Sequence, residues 1–139
     1  MSKTFKLNLV APDRPSLTEE VTSLVLPGGA GEFGVLAGHM PLISTLKPGT
    51  LEVTKGGVKE FYFIAGGYAE VNGTSVIVLA EEYEKASEIN VERSQLSKKQ
   101  AEEKLASKAE GVNLTKEKNA LHRNEARLQT VEKAKAFKK

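Results

Sequence analysis

Nineteen residues, 31 to 49, constrain this chain more than any other stretch. They read Gly31-Glu32-Phe33-Gly34-Val35-Leu36-Ala37-Gly38-His39-Met40-Pro41-Leu42-Ile43-Ser44-Thr45-Leu46-Lys47-Pro48-Gly49, with four glycines, two prolines and one of the chain's two histidines. Such density forces the backbone through several tight turns between short strands. The flanks agree. Residues 5–10 alternate apolar and polar with period two and end at the turn Pro12-Asp13-Arg14-Pro15. Residues 21–26 form a second run, closed by Pro27-Gly28-Gly29. Residues 51–54 alternate again before Lys55-Gly56-Gly57-Val58, a predicted hairpin turn. An aromatic run, Glu60-Phe61-Tyr62-Phe63-Ile64-Ala65, breaks at Gly66-Gly67, and residues 68–71 turn through Asn72-Gly73 into the apolar run 75–80. Many short strands with regular turn signals predict an antiparallel sandwich or barrel rather than a parallel sheet.

Beyond the charged exit Glu81-Glu82-Tyr83-Glu84-Lys85 the pattern changes to two helices, which gives an α+β chain: an antiparallel β sandwich over residues 1–86 and an antiparallel two-helix hairpin over 87–139. Asn90 is placed to cap a first helix of about residues 91 to 109. Gly111 is a stop, and Asn113 or Thr115 caps a second helix reaching about residue 136. The hairpin has little core of its own: Leu96, Ala101 and Leu105 on one helix, Leu121, Leu128, Val131 and Phe137 on the other. Helical stability in proteins comes mostly from packing an apolar face. Two readings therefore stand: a hairpin able to leave its partner, or one docked permanently on the β domain.

With 139 residues, 40% hydrophobic and 27% charged, the chain has the composition of an ordinary globular domain plus a small appendage. Cysteine is absent, which excludes disulfides and thiol chemistry. No apolar stretch approaches the roughly 20 residues that span a bilayer, and the first residues lack the apolar centre of a signal peptide. These features are expected of a soluble protein of a reducing compartment that meets membranes only through partners. The net charge of +2 hides a division: seven basic and eleven acidic side chains in residues 1–89, thirteen basic and seven acidic in 90–139. Such asymmetry implies two modules with different partners.

Signals for chemistry are few. Gly29-Ala30-Gly31-Glu32-Phe33-Gly34 matches a dinucleotide-loop pattern, but that motif must open a helix, and the following Val35-Leu36-Ala37-Gly38-His39-Met40-Pro41 is not helical. His39 and His122 sit in different modules, so neither a metal pair nor a catalytic triad takes shape, and no metal site is expected. Arg123 and Arg127 lie four apart on one helix face, with Val131 and Lys135 continuing the stripe. Like charges at that spacing destabilise an isolated helix slightly and suit an anion, either a phosphate or an acidic protein segment; a solvated basic face is the other reading. The basic end 133–139 lacks the stacking aromatics of a nucleic-acid binder, and the seven acids of the tail oppose that partner too.

The stretch 31–49 resembles the signature of the epsilon subunits of F-type rotary ATP synthases, Gly-x-Phe-Gly-Ile/Val-Leu-x-Gly-His-x-Pro-Leu followed by a Lys-Pro-Gly turn, and the likeness extends along nearly the whole chain. It implies a non-catalytic central-stalk subunit of bacterial type. The sandwich would bind the gamma subunit and the membrane rotor ring of c subunits, coupling proton-driven rotation to ATP synthesis. Glu32, Phe33, Gly34 and His39 would touch the ring. The helices would inhibit ATP hydrolysis by extending into the alpha/beta catalytic head, where Arg123, Arg127, Lys133 and Lys135 would meet acidic segments. The resemblance also implies a place on the cytoplasmic face of the bacterial plasma membrane, as a peripheral subunit. Some members hold regulatory ATP through Ile/Leu-Asp-x-x-Arg-Ala and two arginines. Ile89, Arg93, Arg123 and Arg127 match, whereas Asn90 replaces the acid, Ser94 replaces the alanine, and Gln100 stands at a further basic position. Weak ATP binding or none is expected, and no other cofactor. The competing class is a free-standing β-sandwich binding module with a basic helical arm.

Overall fold

The computed structural model describes residues 3–107, 111 and 113–137. Ten strands precede two helices: β1 Phe5–Ala11, β2 Arg14–Val21, β3 Ser23–Gly28, β4 Gly31–Leu36, β5 Leu42–Leu46, β6 Gly49–Lys55, β7 Val58–Ile64, β8 Gly67–Val71, β9 Ser75–Ala80, β10 Tyr83–Lys85, α1 Val91–Ser107 and α2 Leu114–Phe137. A 3₁₀ turn, Ala86–Glu88, joins β10 to α1. The strands run in the order β10-β7-β6-β3-β5-β8-β9-β1-β2, with β4 paired to β3. All pairs are antiparallel except β1 with β9, which is parallel. The order folds into two layers over one core. Period-two alternation supplies its side chains: Phe5, Leu7 and Leu9 from β1, Leu24 and Leu26 from β3, Leu51 and Val53 from β6, Val76 and Val78 from β9.

The expected turns form where glycine or asparagine demands them. Gly56, at φ +64, reverses β6 into β7 with Lys55 opposite Val58. The β8–β9 reversal depends on the Asn72 side chain, whose Oδ1 accepts from the amides of Thr74 and Ser75 at 2.9 Å. Gly67 is obligatory: its φ is +142, and a Cβ there would lie 2.0 Å from the Leu79 carbonyl oxygen.

Strands β2 and β3 depart from the sequence expectation. The run 21–26 is not one strand. Val21 ends β2 opposite Phe5 in one layer, while Leu24 pairs with Val53 in the other. Thr22 makes the crossing, its amide and hydroxyl both bonded to the Thr54 carbonyl at 2.7 and 3.0 Å. Continuous apolar character concealed this change of layer. The glycine-rich stretch holds two strands, β4 and β5, as well as turns. Gly29-Gly34 is accordingly a hairpin end running into a strand, with no helix after it to receive a pyrophosphate.

Both helices begin at an asparagine cap. Asn90 Oδ1 accepts from the Arg93 amide and Asn113 Oδ1 from the Lys116 amide, each at 3.0 Å. The end expected for the first helix falls partly on residues 108–110, outside those described. The buried positions of α1 are Ser94 and Ala101, and those of α2 are Asn124, Ala126 and Thr130. Leu96, expected in the hairpin core, is exposed. It lies two residues from Ser94, about 200° round the helix, and so faces away from α2. Helix α2 lies across β6 and β7. Phe63, Ala65, Ile89 and Ala126 make a second, small apolar cluster there, joined by Val131. No helix among the described residues is long and apolar enough to cross a membrane.

Candidate functional site

Three surfaces carry chemistry beyond the core. The first is the strip made by β4 and the loop before β5. Glu32 and Gly34 are exposed on β4, and Phe33 packs partly against the core. His39 follows in the loop, its amide bonded to the Leu36 carbonyl at 3.1 Å and its Nδ1 lying 2.7 Å from the Met40 carbonyl oxygen. The loop is tied to the β8–β9 turn by the Gly38 amide, which donates to the Gly73 carbonyl at 3.0 Å. The structure therefore spreads the four expected residues along β4 and its exit loop: Glu32 pairs with Pro27 beside the β3–β4 hairpin, and His39 follows the far end of the strand, where Leu36 pairs with Ser23. It adds Leu36 and Met40, the latter 78% exposed, which sequence reasoning did not single out. Their signal was apolar character inside a turn-rich segment.

The second surface is the outer face of β5, β8, β9 and β1. Cross-strand register places Thr45, Tyr68, Leu79 and Val10 in one row and Ile43, Glu70, Ile77 and Asn8 in the next. Tyr68 and Leu79 are exposed and Ile43 is 74% exposed, so a broad apolar stripe faces solvent. Period-two alternation could have revealed it: these strands carry apolar residues on both faces.

The third surface is the seam between α2 and the sandwich. Arg127 is its principal cation, with a side chain 19% exposed. Its Nε donates to Glu84 at 2.7 Å, its Nη2 to Glu82, and its Nη1 to Asn124 Oδ1 at 3.1 Å. Its guanidinium stacks 4.6 Å from the Phe63 ring centroid. Further along, Thr130 and Thr50 share a buried hydrogen bond of 2.8 Å, and Thr130 Oγ1 also donates to the Ala126 carbonyl at 2.9 Å. Lys133 reaches Glu32 at 3.2 Å, joining two expected site residues from different modules. Phe137 leans on Phe61, rings 6.0 Å apart. Lys135 is exposed, without an ion pair among the described residues.

Arg123 and Arg127, expected as a matched pair, have different surroundings. Arg123 lines an open cavity of about 390 Å³ with Glu81, Tyr68, Asn119 and His122, while Arg127 is committed to Glu82 and Glu84. Of the other two residues of the expected ATP set, Ile89 is buried beside Phe63 and Ala126, and Arg93 is exposed on the first turn of α1. Asn90, in the place of the acid, spends its side chain on the cap. Sequence reasoning missed Glu82 and Glu84. Their i, i+2 spacing around the buried Tyr83 was the available signal for a strand with both acids on one side.

On the opposite side, Lys55 bridges Glu19 at 3.0 Å and Glu60, and Lys85 reaches Glu60 at 2.6 Å. Burial pushes the Glu60 carboxyl up, but hydrogen bonds from Lys55 and Lys85 outweigh it and hold the group below its ordinary range. Burial, with the charges of Glu60 and Glu19, pushes the Tyr62 hydroxyl up to about 12. Among the described residues no cluster of His, Cys, Asp or Glu is grouped to hold a metal.

A sandwich with an apolar sheet face, an exposed strand β4 with its exit loop, and a helical hairpin laid over its other side defines a protein that works through contact surfaces. The comparisons make the class specific. Residues 4–86 match the β-sandwich domain of ATP synthase delta/epsilon chains, and residues 87–132 match their long α-helix domain. The chain is 41% identical to an ATP synthase epsilon chain of Syntrophobacter fumaroxidans, covering 96% of this chain and 99% of that one. It is 38% identical to the epsilon chain of Desulforamulus reducens, covering 95% and 100%. A chain in the Euglena gracilis mitochondrial ATP synthase, solved with OSCP, F1 and the c-ring, superposes with a TM-score of 0.79 at 33% identity, over 88% of this chain and 78% of that one. The chain belongs to the delta/epsilon family of ATP synthase, as a central-stalk subunit of the epsilon type, and it is non-catalytic.

Proposed function

We propose that this chain couples rotation to ATP synthesis through its sandwich and restrains ATP hydrolysis through its hairpin. The observation that carries the reading is the apolar stripe of Ile43, Tyr68, Ile77 and Leu79. It is a permanent docking face on the side of the sandwich that the helices leave open. Its partner is the gamma subunit. The strand β4 and its exit loop, bearing Glu32, Phe33, Gly34, Leu36, His39 and Met40, meet the ring of c subunits. The subunit sits peripherally on the cytoplasmic face of a bacterial plasma membrane, held there by proton-driven machinery it does not itself enter.

When the hairpin leaves the sheet, Arg123, Arg127, Lys133 and Lys135 become available to acidic segments of the alpha/beta head, and the net positive tail complements them. Regulatory ATP binds weakly or not at all, because Arg127 already holds two carboxylates and the neutral Asn90 side chain is occupied by its cap.

The test is hydrolysis by a catalytic complex stripped of this subunit, titrated with the full chain, with a chain ending at Glu88, and with Ile43→Asp/Leu79→Asp. We expect the full chain to bind and repress, the shortened chain to bind without repressing, and the stripe variant to bind at least tenfold more weakly. Binding unaffected by the stripe variant refutes the gamma assignment. Equal repression by the two lengths refutes the inhibitory hairpin. No binding by any form returns the chain to the class of a free-standing adaptor.

A further inference from the structure

The segment from Glu82 to Asn90 is divided into a part hydrogen-bonded to the sandwich and a part that meets it through apolar burial alone. Tyr83, Glu84 and Lys85 pair with Ile64, Phe63 and Tyr62 of β7. The Ala65 amide donates to the Glu82 carbonyl at 2.9 Å. Arg14 Nη1 donates to the Tyr83 carbonyl at 3.0 Å, its guanidinium lies 4.1 Å from the Tyr83 ring centroid, and its Nη2 is 3.7 Å from Glu88. The Tyr83 hydroxyl donates to the Pro15 carbonyl, and Lys85 pairs with Glu60. Residues 82–88 therefore belong mechanically to the β domain. The next link is different. Ile89 is extended, with φ −75 and ψ 126, and is held by apolar burial against Phe63 and Ala126. Asn90 then starts α1.

We propose that Glu82 and Glu84 form, with Arg127, a clasp spanning a pivot at Ile89–Asn90, and that this clasp sets the balance between closed and open hairpin. It rests on the function proposed above only in giving the opening a purpose. The two carboxylates are mounted on the fixed side of the pivot and the guanidinium on the moving side, so their bonds exist only when the hairpin is closed. A contact made in one state and absent from the other shifts the equilibrium by its whole net worth. Opening also leaves Glu82 and Glu84, two residues apart on the strap, without the cation they share, which adds like-charge repulsion to the open state. The acids are redundant. Either one still neutralises Arg127 when the other is lost, so the clasp fails fully only when both go. Closure is supplied by the chain's own carboxylates and needs no added anion.

The chain has no cysteine, so Ser16→Cys on β2 and Gln100→Cys on α1, both exposed, can carry spin labels in the full-length protein. Pulsed EPR distances give the open fraction, and amide exchange in α2 gives the opening constant when that fraction is small. We expect Arg127→Gln to raise opening about 5- to 50-fold, the range for charge-assisted bonds on a partly exposed guanidinium. Glu82→Gln or Glu84→Gln alone should do less than half of this in logarithmic terms. The double carboxylate variant, which strands a shielded guanidinium, should open at least as much as Arg127→Gln, and adding Arg127→Gln to it should not open the hairpin further. The reversed set, Arg127→Glu with Glu82→Lys and Glu84→Lys, should recover closure. Exchange in β1 and β9 shows in each case that the sandwich remains folded. Unchanged opening in Arg127→Gln, or a reversed set as open as Arg127→Gln, overturns the clasp. All of this is read without a motor complex, so it stands or fails independently of the stalk assignment.

Discussion

Replacing Thr130 by valine tests whether the helix seam is held by its polar pair. Thr130 is 0% exposed and Thr50 3%. The Thr130 hydroxyl donates to the Ala126 carbonyl, so the proton between the two threonines comes from Thr50. Valine at 130 keeps the shape but removes the acceptor, leaving a buried Thr50 hydroxyl without a partner. The penalty for such a stranded group is about 1–3 kcal/mol. It falls on closing the hairpin rather than on folding the sandwich, because an open hairpin lets water satisfy Thr50. That converts to an increase of about 5- to 150-fold in the opening constant. Thr50→Val should cost less, about 1 kcal/mol or under, because Thr130 keeps its bond to Ala126. The double variant, apolar on both sides, should lie near Thr50→Val and well above Thr130→Val in closure. Amide exchange of α2, referenced to β1 and β9, is the assay. A Thr130→Val chain with unchanged α2 protection, or a double variant as open as that single one, refutes the reasoning.

Two further outcomes concern the sandwich. Gly67→Ala must push a methyl group into the Leu79 carbonyl, 2.0 Å from the ideal Cβ, at φ +142; a loss of about 3 kcal/mol or more in urea unfolding is expected, and a loss below about 1 kcal/mol contradicts it. Glu60 is held below its ordinary range in the folded chain, so its contribution is present above the unfolded value near 4.5 and is lost as pH falls through the folded one. Thermal melting should therefore decline more steeply from neutral pH to about pH 3 in the parent than in Glu60→Gln, and equal slopes would remove the Lys55–Glu60–Lys85 network from the account.

Local chemistry made much of the fold legible in the sequence. Alternation identified β1, Gly56 the β6–β7 turn, and Asn90 the start of α1, because each rests on neighbours within a few residues. What escaped depends on partners far along the chain. Strand β2 begins Arg14-Pro15-Ser16 and is exposed along most of its length, so it carries no strong apolar signal. The layer change at Thr22 is invisible until Val21 finds Phe5 and Leu24 finds Val53. Of the site residues, the succession of Glu32, Phe33, Gly34 and His39 along one strand and its exit was legible as a motif. Arg127 was legible as a cation, yet its anions lie 43 and 45 residues away, and no periodicity within α2 points to them.

The contrast between core and seam would let the sandwich stay folded through the opening proposed for the hairpin. The sandwich interior is predominantly apolar, from Phe5 and Leu7 to Val76 and Val78, and exposing it would cost far more than a small domain can spare. The seam instead joins threonines, an arginine with two glutamates, and a lysine with Glu32, around a patch as small as Phe63, Ala65, Ile89 and Ala126. Polar partners separate into water with little net loss, because water replaces the bonds they give up. The contacts are also graded along α2. Phe137 and the Lys133–Glu32 pair, both substantially exposed, lie at the far end, and exposed ion pairs are worth about 1 kcal/mol or less. Thr130 is buried midway, and Arg127, three-quarters or more shielded, lies nearest the strap that carries Glu82 and Glu84. Separation that starts where contacts are weakest therefore peels α2 from its C-terminal end toward the clasp. In the proposed opening, contacts at the far end would set how often the helix frays, and the clasp would decide whether fraying becomes opening.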